Sequence, residues 1–213
     1  QQRDVSWPSA ALMLRDVPIP EAMKQYLTSV GGSFGVERTR RREEYTGAVQ
    51  QQRGVTDWRY PLSLQLGFAR GFTLSYRGSL SGGETLDPTG DSEKGGHQHD
   101  LTLSAIVRAP EAWRTRLTAP ISVFLQFTDQ NQRQCRYNPI LAAADGCVAF
   151  LDVGTRNANL KLETEVSDIT VGSSFSFVDR ANQVGTRAGS SQFQFQLYGR
   201  FNFTAGQMPA GTF

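Results

Sequence analysis

The sequence predicts an all-β chain, an antiparallel up-and-down transmembrane β-barrel of about nine strands with one short helix. Two observations carry this expectation. The first is apolar/polar alternation, sharpest in Ser191–Phe203, where Phe193, Phe195, Leu197, Phe201 and Phe203 share one face and Gln192, Gln194, Gln196, Arg200 and Asn202 the other. Side chains alternate with period two along a strand, so this segment has one apolar wall and one wet wall. The second is a sorting of connections by length. Arg70-Gly71, Ala109 to Arg116 and Ser167-Asp168 read as short turns, whereas 45–56, 81–96, 128–155 and 179–190 read as long external loops. Outer-membrane barrels alternate short periplasmic turns with longer external loops, and a soluble sandwich has no reason to do so.

In chain order, Ser9–Leu14 reads as a first strand. Residues 15–27 form a periplasmic connection holding one short helix, because Pro20 and Glu21 suit a first helical turn. A second strand runs from Ser29 towards Glu44. In the third, Leu62, Leu64, Leu66 and Phe68 alternate with Ser63, Gln65, Gly67 and Ala69. The tight turn Arg70-Gly71 leads to a fourth with Phe72, Leu74, Tyr76 and Leu80 on one face. Leu101–Val107, Ile121–Phe127, Leu160–Val166 and Ile169–Phe177 supply the fifth to eighth. Ser191–Phe203 closes the set, and 204–213 is a C-terminal tail. The lipid-facing set is therefore expected to include Leu62, Leu64, Leu66, Phe72, Leu74, Phe193, Phe195, Leu197, Phe201 and Phe203. Gln65, Ser75, Arg77, Thr102, Ser104, Gln126, Lys161, Glu163, Gln194 and Arg200 are expected to face inward.

Composition bounds the rest. With 213 residues the chain suits a single domain, a single β-barrel segment spanning 1–213. Its mean hydropathy is −0.39. No apolar run is long enough for a transmembrane helix, but barrel strands need only half their residues apolar. A net charge of +2 gives no argument for nucleic acid. The chain opens on Gln1 without a signal segment, which reads as a mature product, an excised piece or a fragment. Nine antiparallel strands cannot close without one parallel pair, and an open edge in lipid costs several kcal/mol per unpaired backbone group. The expectation is a part of a larger barrel; the other arrangement would make Val148–Val153 a tenth strand.

No nucleophile elbow, zinc-protease motif or phosphate loop is present, so the expectation is a non-catalytic protein without cofactor or metal. His97 and His99, with Asp91, Glu93 and Asp100 nearby, form the best metal-like cluster, but solvated loop residues account for them better. Arg38-Thr39-Arg40-Arg41-Arg42-Glu43-Glu44 reads more readily as a wet strand end than as a phosphate-binding rim. Asp87-Pro88-Thr89-Gly90-Asp91 reads as a turn. Trp58, Tyr60, Phe68, Phe72 and Phe203 lie where an aromatic girdle would sit, and the ordinary β-propensity of aromatics accounts for them equally well. The twelve-residue spacing of Cys135 and Cys147 leaves a loop disulfide and two separate thiols both open.

Trp7-Pro8, Pro18-Ile19-Pro20 before a short helix, Ser29-Val30, Pro61-Leu62, Gly71-Phe72-Thr73-Leu74-Ser75-Tyr76 and the Gln192–Phe203 strand together resemble the C-terminal portion of SprA-type proteins. These are the giant outer-membrane β-barrel translocons of the type IX secretion system. The resemblance implies part of the wall of a protein-export channel at the bacterial outer membrane. Its implied partners are outer-membrane lipid, secreted protein cargo, a periplasmic plug and lateral-gate membrane proteins. Two alternatives remain at this point: a self-contained small porin- or adhesin-type barrel (or a lipid-modifying one), and a soluble β-sandwich binding module.

Overall fold

The computed structural model describes residues 2–6, 9–15, 17–45, 51–87, 90–108, 119–137, 146–166, 169–184 and 188–201. The elements are β1 (Gln2–Ser6), β2 (Ala10–Leu14), α1 (Glu21–Lys24), β3 (Leu27–Tyr45), β4 (Gln51–Phe68), β5 (Phe72–Leu86), β6 (Ser92–Val107), β7 (Ile121–Tyr137), β8 (Cys147–Val166), β9 (Ile169–Asn182) and β10 (Ala188–Phe201). They form one antiparallel up-and-down sheet in sequence order. β1 and β2 both pair with β3, at Thr39–Glu43 and Gly32–Val36 respectively, so they occupy one position and the sheet is nine strands wide. Among the described residues no strand joins β10 to β1 or β2, and the sheet is not closed.

Register explains what this sheet is. One row of partners reads Val30, Leu66, Leu74, Leu103, Leu125, Leu160, Phe175 and Phe195, an unbroken apolar line across eight strands. The rows on either side of it, on the same face, are also largely apolar. The lower border of this band runs level from Leu27 on β3 to Phe72 on β5, then falls through Ile121 on β7 to Phe201 on β10. That is a drop of about four residues over about seven strand-to-strand steps. At ~3.4 Å per residue and ~4.8 Å per step, the apolar belt runs oblique to the strands by roughly 20°. Strands inclined to an apolar belt are what a barrel wall shows, here at a shallower slope than the usual 35–45°.

The structure corrects the sequence on the external loops. Most of 45–56, 81–96, 128–155 and 179–190 is strand: β3 runs to Tyr45, β4 starts at Gln51, β5 ends at Leu86 and β6 starts at Ser92. β7 continues to Tyr137, β8 begins at Cys147, β9 reaches Asn182 and β10 starts at Ala188. Above the apolar band polar residues and glycines fall on both faces of most strands, so the ladder continues while the alternation that betrays a strand disappears. Val148–Val153 is accordingly the start of β8 rather than a separate strand. The sorting of connections by length dissolves with this. What distinguishes the two ends is the polar overhang of the strands beyond the band. The connection 15–27 holds α1 at Glu21–Lys24, and β1 is a segment that sequence reasoning missed. The turn residues Ser167-Asp168, the connection Ala109 to Arg116, Phe203 and the tail 204–213 lie outside the described residues.

Local chemistry pins the register. Phe68 and Phe72 pair directly, and in the three-residue connection Ala69–Gly71 between them Arg70 (φ 71°) and Gly71 (φ 79°) both take the left-handed conformation that closes the hairpin. At the overhanging end a disulfide joins Cys135 on β7 to Cys147 on β8, with Cα atoms 5.4 Å apart. A register shift between Gln134 and Cys135 accompanies it. Two glycines act as saddles. The Lys94 Nζ on β6 reaches Asp57 Oδ1 on β4, 2.7 Å away, across Gly83 of β5. Tyr198 on β10 lies over Gly172 of β9 and donates to Glu163 Oε1 on β8 at 2.7 Å. A Cβ at Gly172 would come within 2.6 Å of the Tyr198 ring. Each saddle ties three strands together and makes the strand order harder to slip.

Candidate functional site: a two-faced wall

Period two sorts every strand into the same two faces. On the apolar face Leu62, Leu64, Phe72, Phe193, Phe195, Leu197 and Phe201 are exposed, while Leu66 and Leu74 are half-buried. The buried hydrophobic side chains among the described residues are only Ala105 and Cys135. A soluble sandwich must cover such a face with a second sheet, and a single sheet is present here. This speaks against the sandwich alternative: among the described residues no second sheet covers the apolar side, in a pattern suited to lipid. Phe68 and Phe72 pair at one border of the band. Trp58 and Tyr60, ring centroids 5.3 Å apart, mark the other.

The opposite face is polar and concave. Glu37, Asp57, Arg59, Ser79, Lys94, Gln98 and Gln130, drawn from five strands, line one hollow; Ser33, Ser63, Gln65, Ser75 and Arg77 line another. The inward set expected from sequence (Gln65 to Arg200) lies on this face in the observed register. On this face Lys161 Nζ sits 2.9 Å from Glu163 Oε1, and Thr128 donates to Asp100 Oδ1 at 2.8 Å. Ser33 and Ser63 share a 2.7 Å hydroxyl contact. An apolar convex face and a polar concave one invert the arrangement of a soluble barrel.

The histidines do not gather the acids that the sequence placed near them. They lie in β6, where parity puts Asp100 on the other face. The His99 Nδ1 meets the Tyr76 hydroxyl at 2.7 Å, and His97 Nε2 lies 3.3 Å from Asp129 Oδ2, which Arg156 also engages at 3.2 Å. Glu93 instead accepts from the Tyr137 hydroxyl, and this bond raises the Tyr137 pKa above its ordinary 10.0. Glu93 also neighbours Cys135 and Cys147, but their sulfurs are committed to the disulfide. Arg38, Arg40 and Arg42 take one face of β3 and Arg41 the other, so the basic run is split by the pleat. Asp87–Asp91 does turn, with Gly90 N–H donating to the Asp87 carbonyl at 2.9 Å and Gly90 at φ 135°.

No protein-family model matches the sequence, and no curated protein is significantly similar to it. Among solved structures the chain is similar to the alcaligin outer-membrane receptor FauA of Bordetella pertussis, at 15% identity and a TM-score of 0.57. The match covers 93% of this chain and 32% of the receptor, so the chain spans about a third of that barrel protein's length. The tilted apolar belt, the inverted faces and this likeness agree: the chain has the fold of an outer-membrane β-barrel wall, present as a nine-strand sheet that is not closed.

Proposed function

We propose that the chain is a section of the wall of a large transport barrel in the bacterial outer membrane, one that passes protein cargo and performs no chemistry of its own. The observation that carries this reading is the inverted sheet, apolar on its convex side and polar on its concave side. The concave wall offers paired charges, hydroxyls and amides without a deep apolar pocket, which suits a surface along which polar cargo slides without sticking. The sequence resemblance to SprA-type proteins supports export as the direction. With it come the proposed partners: outer-membrane lipid, secreted cargo, a periplasmic plug and lateral-gate membrane proteins.

A receptor-type barrel is the second reading, favoured by the structural likeness to an outer-membrane receptor. Depletion of the full-length gene product separates the two. Export predicts that secreted proteins accumulate in the periplasm, with the outer membrane intact. Unchanged secretion together with loss of uptake of a small ligand would replace export by the receptor reading. The catalytic alternative, a lipid-modifying barrel, requires His97 or His99, and unchanged lipid composition on replacing both with Ala removes it.

A further inference from the structure

We infer that the convex side of β3, where it leaves the apolar band, is a binding site for a lipid with a deep polyanionic headgroup, a phosphorylated and acylated saccharide rather than a phospholipid. This rests on the wall reading, which puts that side against the membrane, and names the lipid chemistry it takes.

The site is built on one face of one strand. Val30, Gly32, Phe34 and Val36 fall in the apolar rows, and the next three residues on that face are Arg38, Arg40 and Arg42. The pairing of β3 with β4 keeps the same offset on both sides of Gly35 and Val36, so parity carries through. All three arginines are exposed, and Arg41 between them belongs to the concave face. Arg38 pairs with Trp58 at the aromatic border of the band, Arg40 with Thr56 and Arg42 with Gly54. The neighbouring strand thus sets no charge beside the column. In that direction the first acid on this face is Glu84, one strand further on, in the row of Thr56. Trp58 lies over Gly82 of β5, where a Cβ would collide with its ring, so the indole leans away from β3.

Depth selects the occupant. Alternate residues of a strand lie ~6.8 Å apart, so Arg38 is level with the border while Arg40 and Arg42 stand about 7 and 14 Å beyond it. The headgroup layer of a phospholipid leaflet is only about 5–8 Å deep, so its phosphate cannot serve all three levels. A headgroup of several sugars with more than one phosphate or carboxylate spans them. Arginine suits the task because its planar fork takes phosphate oxygens in pairs, and its five N–H donors can serve a protein neighbour and a ligand together. Below the column Phe34, Leu62 and Leu64 offer exposed apolar surface to the acyl chains of the same lipid.

The test titrates the purified full-length protein, held in phosphatidylcholine nanodiscs, with fluorescent lipopolysaccharide. Arg38→Gln, Arg40→Gln and Arg42→Gln together should weaken binding roughly tenfold or more. Dephosphorylated lipopolysaccharide should bind the parent protein as weakly as the intact lipid binds the triple variant. Arg41→Gln, on the same strand and the opposite face, should leave binding unchanged. The inference is overturned if the triple variant binds like the parent, or if Arg41→Gln costs as much. It is also overturned if phosphatidylglycerol competes as well as lipopolysaccharide at equal phosphate, since one level of phosphate would then suffice. Labelling of Leu64→Cys by a lipid-soluble maleimide runs in parallel. Labelling with an indifferent triple variant overturns the site alone; resistance to labelling overturns the wall reading with it.

Discussion

The N-terminal flank, β1 to β4, and the C-terminal flank, β7 to β10, use the same alternation to different ends. On the C-terminal flank, β8, β9 and β10 pair without a slip from Ile169 to Asn182, and Tyr198 crosses Gly172 to hold Glu163 two strands away. On the N-terminal flank two five-residue strands, β1 and β2, share the edge position beside β3. The β3–β4 ladder is also interrupted at Gly35 and Val36, where Pro61 on β4 brings no N–H. A Cβ at Gly35 would stand 3.0 Å from the Pro61 ring, so the glycine makes room for the proline. Proline inside a sheet is ordinarily confined to edges and bulges, and here it marks a weakened line beside an edge. The contrast teaches that one flank is made to continue the wall and the other to tolerate a discontinuity.

The largest effect that would break this comparison is a charge in the shared apolar row. Leu160→Arg on the C-terminal flank is expected to cost about 2–4 kcal/mol, whereas Ala10→Arg at the N-terminal border of the band should cost about 0–1 kcal/mol. Denaturant titration in bilayers checks both, and equal costs would mean that the band does not sit in lipid as drawn. Replacing Cys135 and Cys147 together with Ser should remove about 2–4 kcal/mol from the β7–β8 overhang, read as earlier proteolysis near residues 138–146. Gly172→Val should displace Tyr198 and loosen β10, at about 1–3 kcal/mol. Faster amide exchange along β10 than along β3 would be its signature. Pro61→Thr should act in the opposite sense on the other flank, restoring one ladder bond for about 0.5–1.5 kcal/mol and slowing exchange at Gly35 and Val36. If exchange there is already slow in the parent protein, the weak-line reading fails.

The smallest effect is a titration. Tyr137 donates to Glu93, which raises its pKa above the ordinary 10.0. The bond's contribution is therefore complete below pH 10 and fades as the pH climbs through the raised value. Absorbance at 295 nm should show a late phenolate component that Tyr137→Phe abolishes and Glu93→Gln moves down.

Much of the wall was legible because lipid demands a strict pattern. Leu62–Phe68, Phe72–Leu80 and Phe193–Phe201 could be assigned to a face by parity alone, and nine strand positions could be counted. The overhangs were not legible. Ser81–Gly96 holds glycines and charges on both faces, and a hydrogen-bonded ladder with water on either side leaves no periodic trace. The same blindness misplaced His97 and His99: read as loop residues they gathered neighbouring acids, whereas the pleat turns Asp100 away and brings Tyr76 and Asp129 from other strands. Sequence reasoning also had no means to see the saddles, since Gly172 and Gly83 acquire their role only from residues on the strands beside them. For Cys135 and Cys147, spacing left two outcomes open, and it is the hairpin of β7 and β8 that brings the sulfurs together.

The overhang itself has a consequence for the shape of the wall outside the apolar band. β7 continues from Phe127, the last apolar residue of its band, to Tyr137, which at ~3.4 Å per residue and a tilt of about 20° lifts the rim roughly 30 Å above the apolar band. A rim of that height works as a chimney. On the transport reading proposed above, cargo moving along the polar wall would stay screened from the surrounding lipid surface until it had cleared that height, and the Cys135–Cys147 disulfide sits at the rim, joining the ends of β7 and β8.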